Sequence, residues 1–367
     1  MPSIPPVNEP MEVKERTGSV NIQRIEEIGK SFQEIMTLNR ENITEAIAKK
    51  NAEEHWIFRA LNWSFCQKGK NYDNFRVNDK IEIKDKTYVF KKVKDTLPVL
   101  GKGARGITYL VERECDKEQF ALKIQKMDET DSAAVHPFNE FKLQKLAAMS
   151  ELGRVMDPLS LTTLRGTNCT CLLMPLGNKD LFDYMTEDKT FQPKKWTPTS
   201  KRFAIQILET LNQLRNTGVS HFDLKPENFL VCIDKQGTAH LKLTDFGTAK
   251  HEDIDDILKD RFVGTPFFLP TVNPSRDPCL DTYAAAIMIM ELFDRKGIYE
   301  CQTGVGIREQ YKLKLKYIQY LEQNSTKMGS IGPSLLEIVQ AKGNVEKSVI
   351  DLLEQEMRSL EANGWEF

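Results

Sequence analysis

The sequence has no large excess of charge of either sign and no long apolar run. Its 51 Lys and Arg residues nearly balance 53 Asp and Glu residues, so the formal net charge is -2 at pH 7. This balance gives no electrostatic reason to expect nucleic acid or an anionic membrane as the main partner. The most apolar stretch, residues 283–293, is far too short to span a bilayer and predicts a buried helix. We therefore expect no membrane span and no nucleic-acid partner.

Targeting signals and a cysteine framework are also missing. Residues 1–18 lack the apolar core of a signal peptide, and Pro2 in place of Gly excludes ordinary N-myristoylation. The seven cysteines are scattered, and the pair Cys169-x-Cys171 has no second pair at zinc-ligand spacing. A reducing intracellular compartment is the easier interpretation. We expect a cytoplasmic protein, with secretion into a host cell as an effector as the alternative.

Composition and patterning predict an ordinary globular protein with an added N-terminal part. The chain has 367 residues, of which 40% are apolar and 28% are charged. Proline and polar residues predict a disordered arm over 1–20. Apolar residues at spacings of three, four and seven predict a helical extension over 21–78 that packs on the neighbouring domain rather than forming a free coiled coil. Alternation at 80–83 and 87–90 predicts a β-hairpin at the start of the main domain, 79–367.

The run HFDLKPEN at 221–228 is the most informative pattern. Within it, Asp223 is followed five residues later by Asn228, with Lys225 between them. A phosphoryl-transfer site needs these residue types close together, because a carboxylate orients the attacking hydroxyl, a cation faces the phosphoryl group and an amide oxygen binds a metal ion. Any one of the three could be structural, but the whole run is specific for this chemistry.

This run resembles the catalytic loop of eukaryotic-type protein kinases, H-R-D-L-x-x-x-N, and a D-F-G triplet follows at 245–247. The resemblance implies an α+β bilobal fold, with a β-rich N-lobe at about 79–177 and a mostly helical C-lobe at about 178–367. It also implies a serine/threonine-directed enzyme that transfers a phosphoryl group from ATP to protein substrates. In that family pattern Asp223 is the catalytic carboxylate and Lys225 neutralises the phosphoryl group. Asn228 and Asp245 hold Mg²⁺, with Mn²⁺ as a possible substitute.

A glycine-rich stretch is the expected phosphate-binding element. Its pattern G-x-G-x-x-G lets the backbone approach phosphate oxygens, but the same pattern also marks dinucleotide-binding turns. A strand-like run rather than a helix follows it, which favours the kinase pattern. The resemblance assigns nucleotide contacts to Gly101, Lys102, Gly103, Ala104, Gly106 and Thr108.

Lys123 resembles the strand lysine that holds the α and β phosphates of ATP, and Ala121 of the same strand is assigned to the nucleotide. Glu140, 17 residues further on, is the expected acidic partner of Lys123. The alternative for Glu140 is an ordinary exposed glutamate of a helix. Gln144 is polar where the family packs an apolar residue, which predicts a less firmly seated helix.

The run at 171–177 resembles the last strand of the small lobe and the hinge that follows it. Met174 and Leu176 are therefore assigned to the adenine pocket, and Asp180 is assigned to the ribose hydroxyls. Further along, Thr265 is expected to hydrogen-bond Asp223 and Lys225.

Two later segments resemble parts of the kinase C-lobe. Residues 267–272 contain no Glu where the family has A-P-E, so the ion pair made by that Glu is expected to be missing or replaced. Asp281 resembles the residue that ties the central buried helix to the catalytic loop.

Phe222 stands where the kinase pattern has Arg. That Arg pairs with a phosphate added to the activation loop, which Phe cannot do, and residues 249–264 contain no Ser, Thr or Tyr. We expect activity that is constitutive or controlled by a partner, with the extension at 21–78 as the candidate controller. A pseudokinase that acts as a nucleotide-binding scaffold and a small-molecule kinase are the alternatives.

Overall fold

The computed structural model describes residues 63–66, 75–93, 97–103, 106–126, 137–164, 167–187, 195–251, 264–270, 279–294, 307–341 and 347–362. The predicted arm at 1–20 and most of the predicted extension lie outside these residues. The chain divides into two compact units, which we call the small lobe and the large lobe. The small lobe takes in the described residues up to Glu151, together with Met156–Leu176 and His251. The large lobe takes in Leu152–Val155, Gly177–Lys250 and the described residues from Gly264 onward.

The small lobe is built mainly from β-strands, as the sequence predicted. Its strands are β1 (Trp63–Cys66), β2 (Lys80–Ile83), β3 (Lys86–Phe90), β4 (Val99–Gly103), β5 (Gly106–Arg113), β6 (Gln119–Lys126), β7 (Ser160–Leu164) and β8 (Cys169–Pro175). Helix α1 (Pro137–Ala148) follows β6 in sequence. The predicted hairpin is confirmed, because β2 and β3 pair antiparallel across Lys84 and Asp85. Both of these turn residues have positive φ, 48° and 60°, as a tight two-residue hairpin turn requires.

The strands of the small lobe close on themselves. They hydrogen-bond in the order β3-β2-β1-β7-β8-β6-β5-β4, and β3 also pairs with β5, so seven of them form a ring. Closure leaves those seven strands without an unpaired edge. The extension expected to be helical over 21–78 includes 63–66, which instead form β1 and pair parallel to β7. Aromatic residues at the alternate positions Trp63 and Phe65 fit a strand better than a helix.

The ring separates an apolar core from a functional face. Successive side chains of a strand point to opposite faces, and one set forms a single buried core: Phe75, Ile81, Ile83, Tyr88, Phe90, Ile107, Tyr109, Val111, Phe120, Leu122, Ile124, Leu164, Cys169, Cys171 and Leu173. The other face of β5, β6 and β8 carries residues assigned to the nucleotide. Thr108 lies opposite Lys123, and Ala121 lies opposite Met174.

The large lobe is mostly helical, as predicted. Its helices are α2 (Leu181–Glu187), α3 (Pro198–Asn216), α4 (Cys279–Asp294), α5 (Ile307–Asn324), α6 (Ile331–Gln340) and α7 (Lys347–Ala362). Its short strands are β9 (Lys179–Asp180), β10 (Val219–Ser220), β11 (Phe229–Ile233) and β12 (Ala239–Leu243), and β13 (Lys250–His251) follows them in sequence. Helix α4 has all of its described side chains buried, which confirms the predicted buried helix at 283–293. Among the described residues, the helices are all too short or too polar to cross a bilayer.

Candidate active site

The small lobe contains a buried ion pair on its functional face. Lys123 Nζ lies 2.7 Å from Glu140 Oε1, and the two residues are 9% and 3% exposed. The alternative that Glu140 is an ordinary exposed glutamate is therefore excluded. Gln125 Nε2 donates to the other carboxylate oxygen, Oε2, at 2.8 Å. A buried carboxylate is stable only when its oxygens are satisfied, so Gln125 completes the pair, and sequence analysis missed it.

The glycine-rich stretch forms the adjoining ends of β4 and β5. Gly101, Lys102 and Gly103 are exposed, and Gly106 pairs with Gln125 of β6. A Cβ atom at position 106 would lie 2.3 Å from the carbonyl oxygen of Ile124, so only glycine fits there. The space beside Gly101 is open instead, which leaves its backbone accessible. Ala104 lies outside the described residues.

Gln144 is a buried polar residue of the small lobe. It is wholly buried on α1, and its Nε2 donates to the carbonyl oxygen of Met156 at 2.8 Å. The same nitrogen lies 3.8 Å from Met174 Sδ. The amide nitrogen of Gln144 thus makes a contact that an apolar side chain cannot make, whereas its buried side-chain oxygen has no hydrogen-bond partner among the described residues. The expectation of a less firmly seated helix stays a prediction. Leu176 follows β8 and is half-buried.

In the large lobe, the residues of the 221–228 run converge on one carboxylate. Asp223 Oδ2 lies 2.9 Å from Lys225 Nζ, and Asp223 Oδ1 accepts a 2.8 Å hydrogen bond from the hydroxyl of Thr265. Lys225 Nζ in turn donates to the Thr265 hydroxyl at 3.0 Å. Asn228 Nδ2 donates to the backbone carbonyl oxygen of Asp223 at 2.8 Å. The structure thus brings together all three residues of the motif and the predicted threonine.

These contacts set the charge of the cluster. Burial alone would lower the pKa of Lys225, but the charge of Asp223 and the hydrogen bond to it outweigh burial, so the pKa of Lys225 is raised. Lys225 therefore stays a cation beside the carboxylate. A fixed positive charge at this position is what a transferring phosphoryl group requires.

Asp281 of α4 binds the backbone of the 221–228 run. Its two carboxylate oxygens accept hydrogen bonds from the backbone N–H of His221, at 2.6 Å, and of Phe222, at 2.8 Å. Burial raises the pKa of Asp281, against the charge of His221 and these two hydrogen bonds. Phe222 has a φ of 64°, an unfavourable conformation for a bulky residue that costs about 1 kcal/mol or more. The hydrogen bonds to Asp281 help to hold the chain in it.

The side chain of Phe222 packs among apolar residues. Its side chain is 6% exposed and forms a buried apolar cluster with Leu269 and Leu280. Gly264 has a φ of 109°, and a Cβ atom there would lie 2.6 Å from the carbonyl oxygen of Phe222. The segment 264–270 thus contacts the 221–228 run through packing as well as through Thr265.

The two expected metal ligands lie at the same end of a hairpin. Strands β11 and β12 pair with Phe229 opposite Leu243, and the Thr244 N–H donates to the Asn228 carbonyl oxygen at 2.9 Å. Asn228 and Asp245 are the next residues at that end. Because the amide nitrogen of Asn228 is bound to Asp223, its side-chain oxygen remains for a ligand. Amide and carboxylate oxygens are the donors that Mg²⁺ prefers, so the residues present fit this ion.

Asp180 has a structural role in addition to the expected one. Its Oδ1 accepts a 2.7 Å hydrogen bond from the backbone N–H of Asp183, in the first turn of α2. This is the contact of a helix N-cap. Burial raises the pKa of Asp180. The contact with ribose remains an expectation.

Comparison with known proteins agrees with the kinase resemblance of the sequence. Residues 95–359 match the family model described as the protein kinase domain. A probable serine/threonine-protein kinase of Dictyostelium discoideum is 29% identical over an alignment of 205 residues, with a coverage of 47% of this chain and 40% of that protein. The RAC-beta serine/threonine-protein kinase of Rattus norvegicus is 27% identical over 210 residues, 54% of this chain and 40% of that protein. The dual specificity protein kinase Ttk of Danio rerio is 30% identical over 197 residues, 53% of this chain and 18% of that protein. The chain therefore spans two fifths or less of these relatives.

Proposed function

The chain belongs to the protein kinase family, and on that premise we propose that it is an ATP-dependent serine/threonine protein kinase. One observation carries the proposal: Asp223, Lys225 and Thr265 form a closed set of contacts of 2.8–3.0 Å. Asn228 is bonded to the backbone of Asp223 beside them. A protein that only binds nucleotide has no need of a carboxylate held in this way.

We assign each large-lobe residue one task in the reaction. Asp223 accepts or orients the proton of the substrate hydroxyl, and Lys225 faces the transferring phosphoryl group. Asn228 and Asp245 would hold Mg²⁺, which would supply positive charge beside the ATP phosphates. Transfer then rests on positioning and on charge neutralisation rather than on a covalent intermediate. Lys225 stands two residues after Asp223, the arrangement typical of serine/threonine-directed enzymes.

The small-lobe residues bind the nucleotide in this proposal. Lys123, held by Glu140, contacts the α and β phosphates, and the backbone of the glycine-rich stretch approaches their oxygens. Thr108, Ala121, Met174 and Leu176 line the adenine, and Asp180 of the large lobe meets the ribose. The buried pair and the shared strand face of Thr108, Lys123, Ala121 and Met174 support these assignments.

We further propose that phosphorylation of the activation loop does not control the enzyme. Phe222 is buried against Leu269 and Leu280, so the segment 264–270 has an anchor that needs no phosphate. The stretch 249–264 offers no hydroxyl to modify. We keep the extension at 21–78 as the candidate site for a regulatory partner and propose a cytoplasmic location.

Phosphoryl transfer from labelled ATP, with Mg²⁺ and a generic basic protein, tests the proposal. We expect wild type to label Ser and Thr, Asp223→Asn to lose most of the rate while still binding nucleotide, and the exposed control Asp351→Asn to match wild type. Nucleotide binding without transfer by wild type would instead support a pseudokinase scaffold. Activity that disappears after phosphatase treatment would contradict the proposed absence of control by loop phosphorylation.

A further inference from the structure

Lys314 of helix α5 is a buried cation directed at the backbone of the segment 264–270. The residue is wholly buried, and its Nζ donates to the carbonyl oxygen of Pro266 at 3.0 Å and to that of Leu269. The ammonium also lies 5.9 Å from the ring centroid of Tyr283 on α4. An ammonium group removed from water is costly unless it is hydrogen-bonded. The carbonyl groups of Pro266 and Leu269 therefore help to satisfy the buried ammonium group, and the ammonium group in turn restrains the backbone that carries them.

The segment that Lys314 holds reaches the catalytic carboxylate within one residue. Pro266 follows Thr265, and Thr265 is the residue that bonds Asp223 Oδ1 at 2.8 Å and Lys225 Nζ at 3.0 Å. The segment 266–268 is a single 3-10 turn with Thr265 at its N-cap, and the Phe268 N–H donates to the Thr265 carbonyl oxygen at 2.9 Å. We therefore expect a displacement of the turn to alter the hydrogen bond that orients Asp223.

Helix α5 contacts the same turn at a second place. Tyr317, three residues after Lys314 and so on the same face of the helix, lies with its ring centroid 5.7 Å from that of Phe267. Lys314 thus supplies the polar part of a contact whose apolar part is the Phe267–Tyr317 pair. Residues 267–272 contain no Glu, and Lys314 contacts this segment through the backbone carbonyl groups of Pro266 and Leu269.

We propose that Lys314 is a positioning residue for phosphoryl transfer, which keeps Asp223 oriented by fixing the 265–269 turn through its carbonyl groups. The inference rests on the proposed function. It predicts that loss of the ammonium lowers kcat while the KM for ATP stays near the wild-type value, because the residues assigned to the nucleotide are elsewhere. A misplacement of catalytic groups by about 1 Å costs roughly a hundredfold in rate, so we expect a fall in kcat of about ten- to a hundredfold in Lys314→Met.

The test compares Lys314→Met, Lys314→Arg and the control Lys316→Met, which removes an exposed lysine from the same helix. We expect Lys316→Met to behave as wild type and Lys314→Arg to regain part of the rate, because guanidinium also donates to carbonyl groups. A double-mutant cycle with Thr265→Ala separates positioning from general stability. If Lys314 acts through Thr265, the double variant loses little more kcat than the worse single variant.

Four outcomes would overturn the inference. They are a wild-type kcat in Lys314→Met, a rise in the KM for ATP that accounts for the whole loss, additive losses in the cycle, and failure of both Lys314→Met and Lys314→Gln to fold. The last outcome would make Lys314 purely structural. An inactive wild type overturns the proposed function together with this inference, whereas an active wild type with an unaffected Lys314→Met overturns this inference alone.

Discussion

Phe75 offers the sharpest test of the closed sheet, because it lies 20 residues before the start of the match to the kinase family model at residue 95. Its side chain is only 3% exposed. Its ring stacks on Phe90 at 4.3 Å with an interplanar angle of 8°, and it meets the edge of Tyr109 at 5.7 Å. If the strands before residue 95 belong to the small lobe, Phe75→Ala must destabilise that lobe as a core substitution does.

The expected cost follows from the burial of the ring. Truncation of a buried Phe to Ala costs about 3–5 kcal/mol, of which aromatic pairs such as those with Phe90 and Tyr109 account for about 0.5–1.5 kcal/mol each. Native proteins have about 5–15 kcal/mol of stability in all. The substitution therefore removes a large share of what holds the lobe together, and the ring of strands should open at lower denaturant concentration.

Urea unfolding and amide hydrogen exchange measure the effect. We expect faster exchange in β2, β3 and β5 of Phe75→Ala and an earlier unfolding transition, whereas the exposed hairpin variant Glu82→Ala should stay within about 0.5 kcal/mol of wild type. Removal of residues 1–62 should leave β1 to β3 in place, and removal of 1–78 should not. The reasoning is refuted if Phe75→Ala unfolds at the same urea concentration as wild type, or if the chain lacking 1–78 is as stable as the full chain.

Three further predictions follow from single side chains. Gln125→Leu removes one donor from a buried carboxylate, so we expect weaker holding of Lys123 by Glu140 and a several-fold rise in the KM for ATP in steady-state kinetics; an unchanged KM would contradict the role of Gln125. Phe222→Arg puts a charge into an apolar cluster, so we expect about 2 kcal/mol or more of lost stability in urea unfolding, which addition of phosphate to the protein should not restore; a stable, more active variant would contradict this. Burial, followed by the charge of Glu227, raises the pKa of Glu291 well above its ordinary value, so the folded state keeps a proton that the unfolded chain releases above about pH 4.3. Stability should therefore fall as pH rises from there toward the folded pKa, and Glu291→Gln should remove that fall and be more stable than wild type at pH 7; parallel pH profiles would contradict it.

The sequence was most informative where function depends on local spacing. The hairpin at 80–90 and the buried helix α4 were predictable from short-range patterns, and the bilobal α+β fold followed from the kinase resemblance. The contacts of Asp223 with Lys225 and Thr265 agree with the geometry that the motif led us to expect. Phosphoryl transfer needs a few residue types in a fixed order, so the spacing of these residues in the sequence predicts their contacts.

Contacts between distant positions were not predictable in this way. Strand β1 has four residues and pairs parallel to β7, about 100 residues further along the chain. A segment so short carries too little alternation to outweigh the helical pattern before it. Lys314 stands among other lysines in KLKLK, and nothing in that pattern distinguishes the wholly buried one from exposed Lys316. Gln125 needed the register of β6 before its contact with Glu140 became visible.

The proposed absence of control by loop phosphorylation follows from how the segment 264–270 is held. An Arg at position 222 would be a buried cation in need of an anion, and adding or removing a phosphate could then order or release the segment. Phe222 has no such need, because Leu269 and Leu280 satisfy it by packing alone. Lys314 donates to the backbone carbonyl groups of Pro266 and Leu269, and these contacts need no added phosphate either. Both anchors are contacts within the folded large lobe that need no phosphate, which supports the proposed absence of control by loop phosphorylation.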